Sequence, residues 1–214
     1  MKFSTIWILL IIWISLSPLY CGNIQFGIKG GLIRSDIRMI DMPDSHINLD
    51  KPDIWRHDFS AKTGINFSMT AVYSLSGSFQ IVAETGYIKK GAGFTSSESK
   101  LTLDYWNLPL ILKYSLSKSI FIDGGLEFSY LLKARLDDDG TIIKLDESYD
   151  NNPEISVILG IERYINKILG MGVRYNFGVT HISRTKWTDE LGNIDSICRE
   201  YNHYLTLYLV IYFN

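Results

Sequence analysis

The sequence predicts an all-β chain, an eight-stranded antiparallel up-and-down transmembrane β-barrel with short periplasmic turns and longer extracellular loops. Three observations carry this. Segments of about ten residues with alternating character recur along the chain, the length a tilted strand needs to cross a bilayer. The connections between them alternate between short and long, and the N-terminus has the character of an export signal.

The chain starts with Lys2 and an almost wholly apolar run from Ile6 to Leu16, closed by Ser17 and Pro18. That run is shorter than the roughly 20 residues a spanning helix needs, so a cleaved leader is expected over residues 1–22, with cleavage near Cys21 to Asn23. An uncleaved anchor is the alternative. Tyr20 before Cys21 argues against a lipoprotein site, which wants a small residue there. The barrel then occupies residues 23–214. Removal of Cys21 leaves Cys198 alone, which excludes an intrachain disulfide and a Cys-rich metal site.

The expected strands are 24–35, 59–71, 78–90, 101–114, 119–134, 154–164, 168–180 and 203–213. The last is the clearest, with Leu205, Leu207, Leu209, Ile211 and Phe213 on one face and Tyr204, Thr206, Tyr208 and Tyr212 on the other. In 59–71 the faces are Phe59, Ala61, Ile65, Phe67, Met69 and Ala71 against Ser60, Lys62, Gly64, Asn66, Ser68 and Thr70. In 168–180, Leu169, Met171, Val173, Tyr175, Phe177 and Val179 oppose Gly170, Gly172, Arg174, Asn176, Gly178 and Thr180. Short turns fall near 74–77, 116–118 and 165–167, and polar loops over 37–58, 91–100, 135–153 and 183–200. Both termini then lie on the short-turn side.

A soluble barrel would place its apolar face inward and crowd the other with charge. Here the polar face is mostly Gly, Ser, Thr, Asn and Tyr, and the apolar face is bulky and continuous, the pattern of a barrel facing lipid. Strand parity turns Lys29, Lys62, Lys113 and Arg174 inward with Glu84, Asp123, Glu127 and Glu162, four cations against four carboxylates. Eight strands enclose an interior that side chains fill, so these groups are expected to pair as a structural network rather than line a pore. Two interfacial aromatic girdles are expected from Trp55, Phe59, Tyr87, Phe94, Trp106, Tyr130, Tyr164, Trp187, Tyr201 and Phe213.

Among 214 residues, Lys+Arg number 21 and Asp+Glu 23, a net charge of −2 that offers no broad basic surface to nucleic acid. His181 and Ser183 point the same way from the end of the seventh strand, which makes an interfacial lipid A acyl hydrolase an alternative, although no acid is placed to orient the histidine. The run Asp137, Asp138, Asp139, Gly140 fails the calcium-loop register, because Arg135 falls at the first ligand position. His46, His57, His181 and His203 show no ligand spacing, so no metal and no cofactor are expected.

Several stretches resemble the PorT-like outer-membrane β-barrel family: FGIKGGLIRSD, QIVAETGYIKKGAG, LDYWNLPLILKY and GMGVRYNFGVTHI. Tyr105, Trp106, Leu108, Pro109 and Lys113-Tyr114 follow the family pattern, and Asn107 replaces its usual acid. The resemblance implies a Gram-negative outer-membrane location and, for the namesake, an accessory role in protein secretion. The expected partners are outer-membrane lipid and proteins of a secretion or envelope complex. The reading from sequence is therefore a non-enzymatic barrel with a filled lumen that works through its outward loops, with the hydrolase and a small conducting pore as alternatives.

Overall fold

The structure, a computed structural model, describes residues 24–40, 59–95, 97–145, 149, 153–188 and 194–213. The expected leader, its cleavage site, Trp55, His46 and His57 lie outside them. The strands are β1 Ile24–Ile40, β2 Phe59–Ser74, β3 Phe79–Phe94, β4 Lys100–Ser117, β5 Ile120–Asp138, β6 Thr141–Lys144, β7 Glu154–Tyr164, β8 Leu169–Gly178, β9 Ser183–Thr188 and β10 Ile194–Phe213. All pairings are antiparallel, and the path β1-β2-β3-β4-β5-β7-β8-β10 closes through β1 and β10, whose register runs from Phe26↔Phe213 to Ile40↔Arg199. A closed ring has no exposed edge, the condition for strands in lipid. The fold is thus an eight-stranded barrel, to which β6 and β9 add short hairpin arms on β5 and β10.

The short turns are built from local polar side chains. Asn166 Oδ1 accepts from the backbone N–H of Ile168 at 2.8 Å and of Leu169 at 2.7 Å, and Ile165 N–H closes on Leu169 O at 2.8 Å. At the other end the strands run further than the periodicity predicts. Residues 135–153, expected as a loop, contain the end of β5 and all of β6, joined by a two-residue turn. Asp139 has φ 47° and Gly140 φ 83°, the pair of positive values that a type I′ turn requires, and Gly140 N–H bonds Asp137 Oδ1 at 3.2 Å. The acidic run is a hairpin tip. Residues 183–200 likewise contain β9 and the start of β10, with Cys198 opposite Thr185 in that arm.

In the middle of the wall the apolar residues point outward. Leu32, Ile65, Phe67, Met69, Leu110, Leu112, Leu126, Leu159, Val173, Leu207 and Leu209 are all exposed, as a lipid-facing band requires. Towards the loops the sense inverts. On β1 the outward positions become Arg34, Asp36 and Arg38, while Ile33 and Ile37 turn inward and are buried.

The aromatic residues sort accordingly. Tyr73, Phe79, Tyr114 and Phe213 ring the short-turn end, with Phe79 and Tyr114 in contact at 5.0 Å between centroids. Trp106 and Tyr130 pair at 5.8 Å towards the other. Three of the expected girdle residues are instead interior. Phe59 and Phe94 stack at 5.2 Å against the upper apolar cluster, and Tyr164 packs edge-on to Tyr212 at 5.3 Å within the lower one. Their rings close the ends of a narrow lumen, a use of aromatics that alternation does not distinguish from a girdle.

Leu207 pairs with Leu32 on one side and Val173 on the other, both outward in the same band. Leu207→Arg is expected to destabilise the folded barrel by about 2–4 kcal/mol, the cost of a cation facing mid-bilayer. Urea titration in lipid vesicles measures this, and an unchanged midpoint would show that this wall does not face hydrocarbon.

Candidate functional site: the filled lumen and its outer rim

Arg174, on β8, stands at the centre of the lumen. Its Nη1 bonds Glu84 Oε1 at 2.7 Å, its Nε bonds Asp123 Oδ2 at 2.8 Å, and its Nη2 lies 3.7 Å from Glu162 Oε2. Lys29 pairs with the other oxygen of Glu84, and Lys113 Nζ sits 2.7 Å from Glu162 Oε2. Three cations therefore face three carboxylates, all buried. Two tyrosines of β10 complete the shell: Tyr208 O–H donates to Glu162 Oε2 at 2.8 Å and Tyr212 O–H to Glu162 Oε1 at 2.7 Å. The Tyr208 ring also lies 4.7 Å below the Arg174 guanidinium and 5.0 Å from Lys29 Nζ, within cation–π range.

Backbone spacing makes room for these large groups. A Cβ on Gly160, opposite Arg174, would stand 2.6 Å from the arginine Cγ, and one on Gly172 would stand 2.5 Å from the Tyr208 ring. Glycine is the residue that lets a neighbouring strand carry a bulky side chain across its face.

A second group lies nearer the loops. Lys90 Nζ is 3.1 Å from Glu154 Oε1 and 3.5 Å from Glu127 Oε1, sandwiched between the rings of Tyr105 at 4.6 Å and Tyr204 at 4.7 Å. One cation meets two carboxylates here, and neutral donors spread the remaining charge. Glu127 accepts from Tyr204 O–H at 2.6 Å, Asn107 Nδ2 at 3.0 Å and Ser129 Oγ at 2.8 Å, and Glu154 accepts from Asn202 Nδ2 at 2.8 Å. Asn107, where the resembled family carries an acid, thus supplies an N–H to a carboxylate that already has a carboxylate neighbour. The cleft between the two groups, bordered by Asn66, Asn107, Glu127 and Arg174, has a volume of about 10 Å³, room for about one water.

Seven of the eight inward charges read from the sequence meet in these two groups. Lys62 does not. It turns inward but sits half-buried at the upper lip, bonding Leu101 O at 2.9 Å and the Thr102 hydroxyl. Parity missed Lys90 and Glu154, although each shares the inward parity of its strand partner, Glu84 or Glu162. They are the terminal residues of the expected segments 78–90 and 154–164 and were left out of the inward set. The tyrosine ladder at positions 204, 208 and 212 was visible as a face but not as a set of donors.

Apolar side chains layer with the charges: Ile37, Leu101, Leu103 and Ile182 lie towards the loops, Ile88, Ile111 and Ile158 lie between the two groups, and Val72 and Val82 lie towards the short turns. Tyr149, beyond the strands, packs on the upper layer, where burial and then the Glu200 carboxylate hold its phenol above the usual range. On the outer wall near the loops, Arg135 Nη2 bonds Asp104 Oδ2 at 2.6 Å, and Tyr87 O–H bonds Asp104 Oδ1 at 2.6 Å. His181 and Ser183 flank the buried Ile182 just beyond β8, and Ser183 pairs with Glu200 across the β9–β10 arm.

Removing Arg174 would leave three buried carboxylates short of their shared cation. Arg174→Met is expected to cost about 3–5 kcal/mol in the same vesicle assay, and Arg174→Lys to recover only part of it, because an ammonium cannot span three carboxylates. Equal stability of Arg174→Met and the parent would mean the network contributes nothing net.

Residues 16–184 match the family described as outer membrane protein beta-barrel domain. Among solved structures, Neisserial surface protein A superposes with a TM-score of 0.51 at 10% identity, covering 88% of this chain and 97% of that one. The attachment invasion locus protein Ail of Yersinia pestis gives a TM-score of 0.48 at 10% identity, covering 89% and 99%. OprG from Pseudomonas aeruginosa gives 0.46 at 10% identity, covering 90% and 97%. No curated protein matches the chain by sequence.

Proposed function

The chain belongs to the outer membrane protein beta-barrel domain family, and we propose that it is a non-enzymatic, non-conducting member that works as a binding or accessory protein through its loop-end surface. The occupied lumen carries this reading. Buried ion pairs interleaved with apolar side chains, with a cleft of about 10 Å³ between the two groups, leave no path for a hydrated ion among the described residues. The surface left for function is the outer rim, where the β5–β6 and β9–β10 arms extend beyond the barrel ring.

The stretches that resemble PorT-like barrels support a finer role, an accessory part in exporting proteins across a Gram-negative outer membrane. In this role the plugged barrel anchors the rim and its arms beside a partner rather than forming the conduit. The pairing pattern agrees with an anchor: the strand ladder continues past the apolar band on β5 and β10, so the arms are held by backbone hydrogen bonds.

Two measurements test the proposal. The purified barrel in a planar bilayer is expected to show no unitary current, and steady channel openings would overturn the plug. In cells, loss of the chain is expected to deplete proteins delivered to the surface. A variant with both arms shortened to tight turns should keep the heat-modifiable gel shift of a folded barrel yet fail to restore delivery. Full restoration by that variant would overturn a role for the arms.

A further inference from the structure

A groove of about 360 Å³ opens on the outside of the wall where β1, β2, β8 and β10 meet, near the loop end. Its lower lining is Leu205 and Tyr175, part of the exposed apolar band, and its upper lining is Arg34, Asp36, Arg38 and His203. The register places these groups together: Arg34 is opposite Leu205, Asp36 opposite His203, and Tyr175 is the other neighbour of Leu205. The groove therefore straddles the level at which the outer surface changes from apolar to charged.

We propose that this groove binds a phosphorylated glycolipid of the outer leaflet, with acyl chains against Leu205 and Tyr175 and the headgroup against the charged lining. An amphiphile with an anionic head matches both halves of the site. Neither arginine forms an ion pair among the described residues, and a guanidinium fork is suited to bidentate phosphate binding. The arginines are four residues apart on one strand face, about 13 Å along the backbone, with Asp36 between them. That carboxylate repels an anion at the midpoint, so each arginine takes its own phosphate. Asp36 already accepts the Ile37 N–H at 2.8 Å and has oxygen capacity left for sugar hydroxyls.

His203 is the second observation. Both ring nitrogens are enclosed and have no hydrogen-bond partner among the described residues, while the ring stands edge-on to Phe177 at 4.6 Å. An imidazole packed on an aromatic wall with its polar atoms unmet lines the groove between the arginines and the lipid band. Turning the ring towards the groove would bring a nitrogen to a headgroup hydroxyl or phosphate oxygen, which would satisfy it.

The proposal is independent of any role in secretion. Its test uses the full barrel in a neutral detergent and native mass spectrometry, with diphosphorylated lipid A as the probe. Expected is binding of the diphosphorylated lipid, at least tenfold weaker binding of the same lipid stripped of phosphate, and no competition by millimolar inorganic phosphate. Arg34→Gln with Arg38→Gln should also weaken binding at least tenfold, and Lys118→Gln, at the opposite end, should not. Equal binding of the phosphate-free lipid, undiminished binding by the double variant, or displacement by free phosphate would each overturn it. Should the double variant fail to show the heat-modifiable shift, the parent decides: the His203 ring nitrogen resonances must move on addition of the phosphorylated lipid and stay fixed with the stripped one, and the opposite result overturns the proposal.

Discussion

Everything in this barrel follows from placing Arg174 in a lumen with almost no room for water. A ring of eight strands leaves an interior that side chains fill, so a guanidinium there must find its counter-charges within reach. Glu84 on β3, Asp123 on β5 and Glu162 on β7 provide them, and those carboxylates hold Lys29 on β1 and Lys113 on β4 in turn. The network thus ties together six of the eight ring strands. Tyr208 and Tyr212 bring in β10, the strand that closes the ring on β1. A register slip of one residue on any of these strands would send its charge into lipid and its leucines into the lumen, so the ion pairs and the lipid band enforce the same register. The close approaches at Gly160 and Gly172 belong to that constraint, since side chains there would displace the groups at the hub.

The second organising fact is that a single strand serves two solvents. Through the bilayer, β1 shows lipid Leu32 and keeps Lys29 inside. A turn of the pleat higher it shows Arg34, Asp36 and Arg38 outside and keeps Ile33 and Ile37 within. Above the hydrocarbon the outside is water or headgroup, and the ordinary hydrophobic rule returns. The upper cluster of Ile37, Leu101, Leu103 and Ile182 is therefore a small conventional core sitting on an inside-out barrel. Lys90, Glu127 and Glu154 lie beneath it, sealed from the rim by apolar side chains.

How much of this was legible in the sequence depends on which solvent faces each residue. In the membrane band, period-two alternation with bulky residues on one face located all eight ring strands and turned seven of the network charges the right way, because lipid on one side imposes a strict sense. Beyond the band that sense reverses, so alternation carried no sign. The same weakness made Phe59, Phe94 and Tyr164 look like girdle residues. Lys90 and Glu154 are the end residues of the expected segments 78–90 and 154–164, and the inward set was counted without them. One local signal was present and went unread: Asp139-Gly140 is a strong two-residue hairpin turn, and it sits inside a stretch whose acidity suggested only a solvated loop. Pro109 was read as a family mark. It faces the lumen beside Glu127, where the ladder to β3 has no paired residues between Gly86↔Asn107 and Ala83↔Leu110, so a central strand carries a residue without an N–H at a point where none is used.

A barrel whose interior is spent on its own stability has only surfaces left to work with, and this one has two kinds. Its arms are extensions of ring strands, and a partner that engaged them would pull on β5 and β10, both of which carry side chains of the buried network. Asp123 and Glu127 lie on the first, and Tyr204, Tyr208 and Tyr212 on the second. The outer groove draws on the same strands: Tyr204 contributes to its lining from β10 while its hydroxyl holds Glu127 inside the lumen. The wall between lipid and lumen is one strand thick, so a residue such as His203 is separated from the charge network only by its neighbour in the chain. Lumen and rim are therefore two faces of the same strands, and the rigidity supplied by the ion pairs is what gives the groove and the arms a fixed shape at the membrane surface.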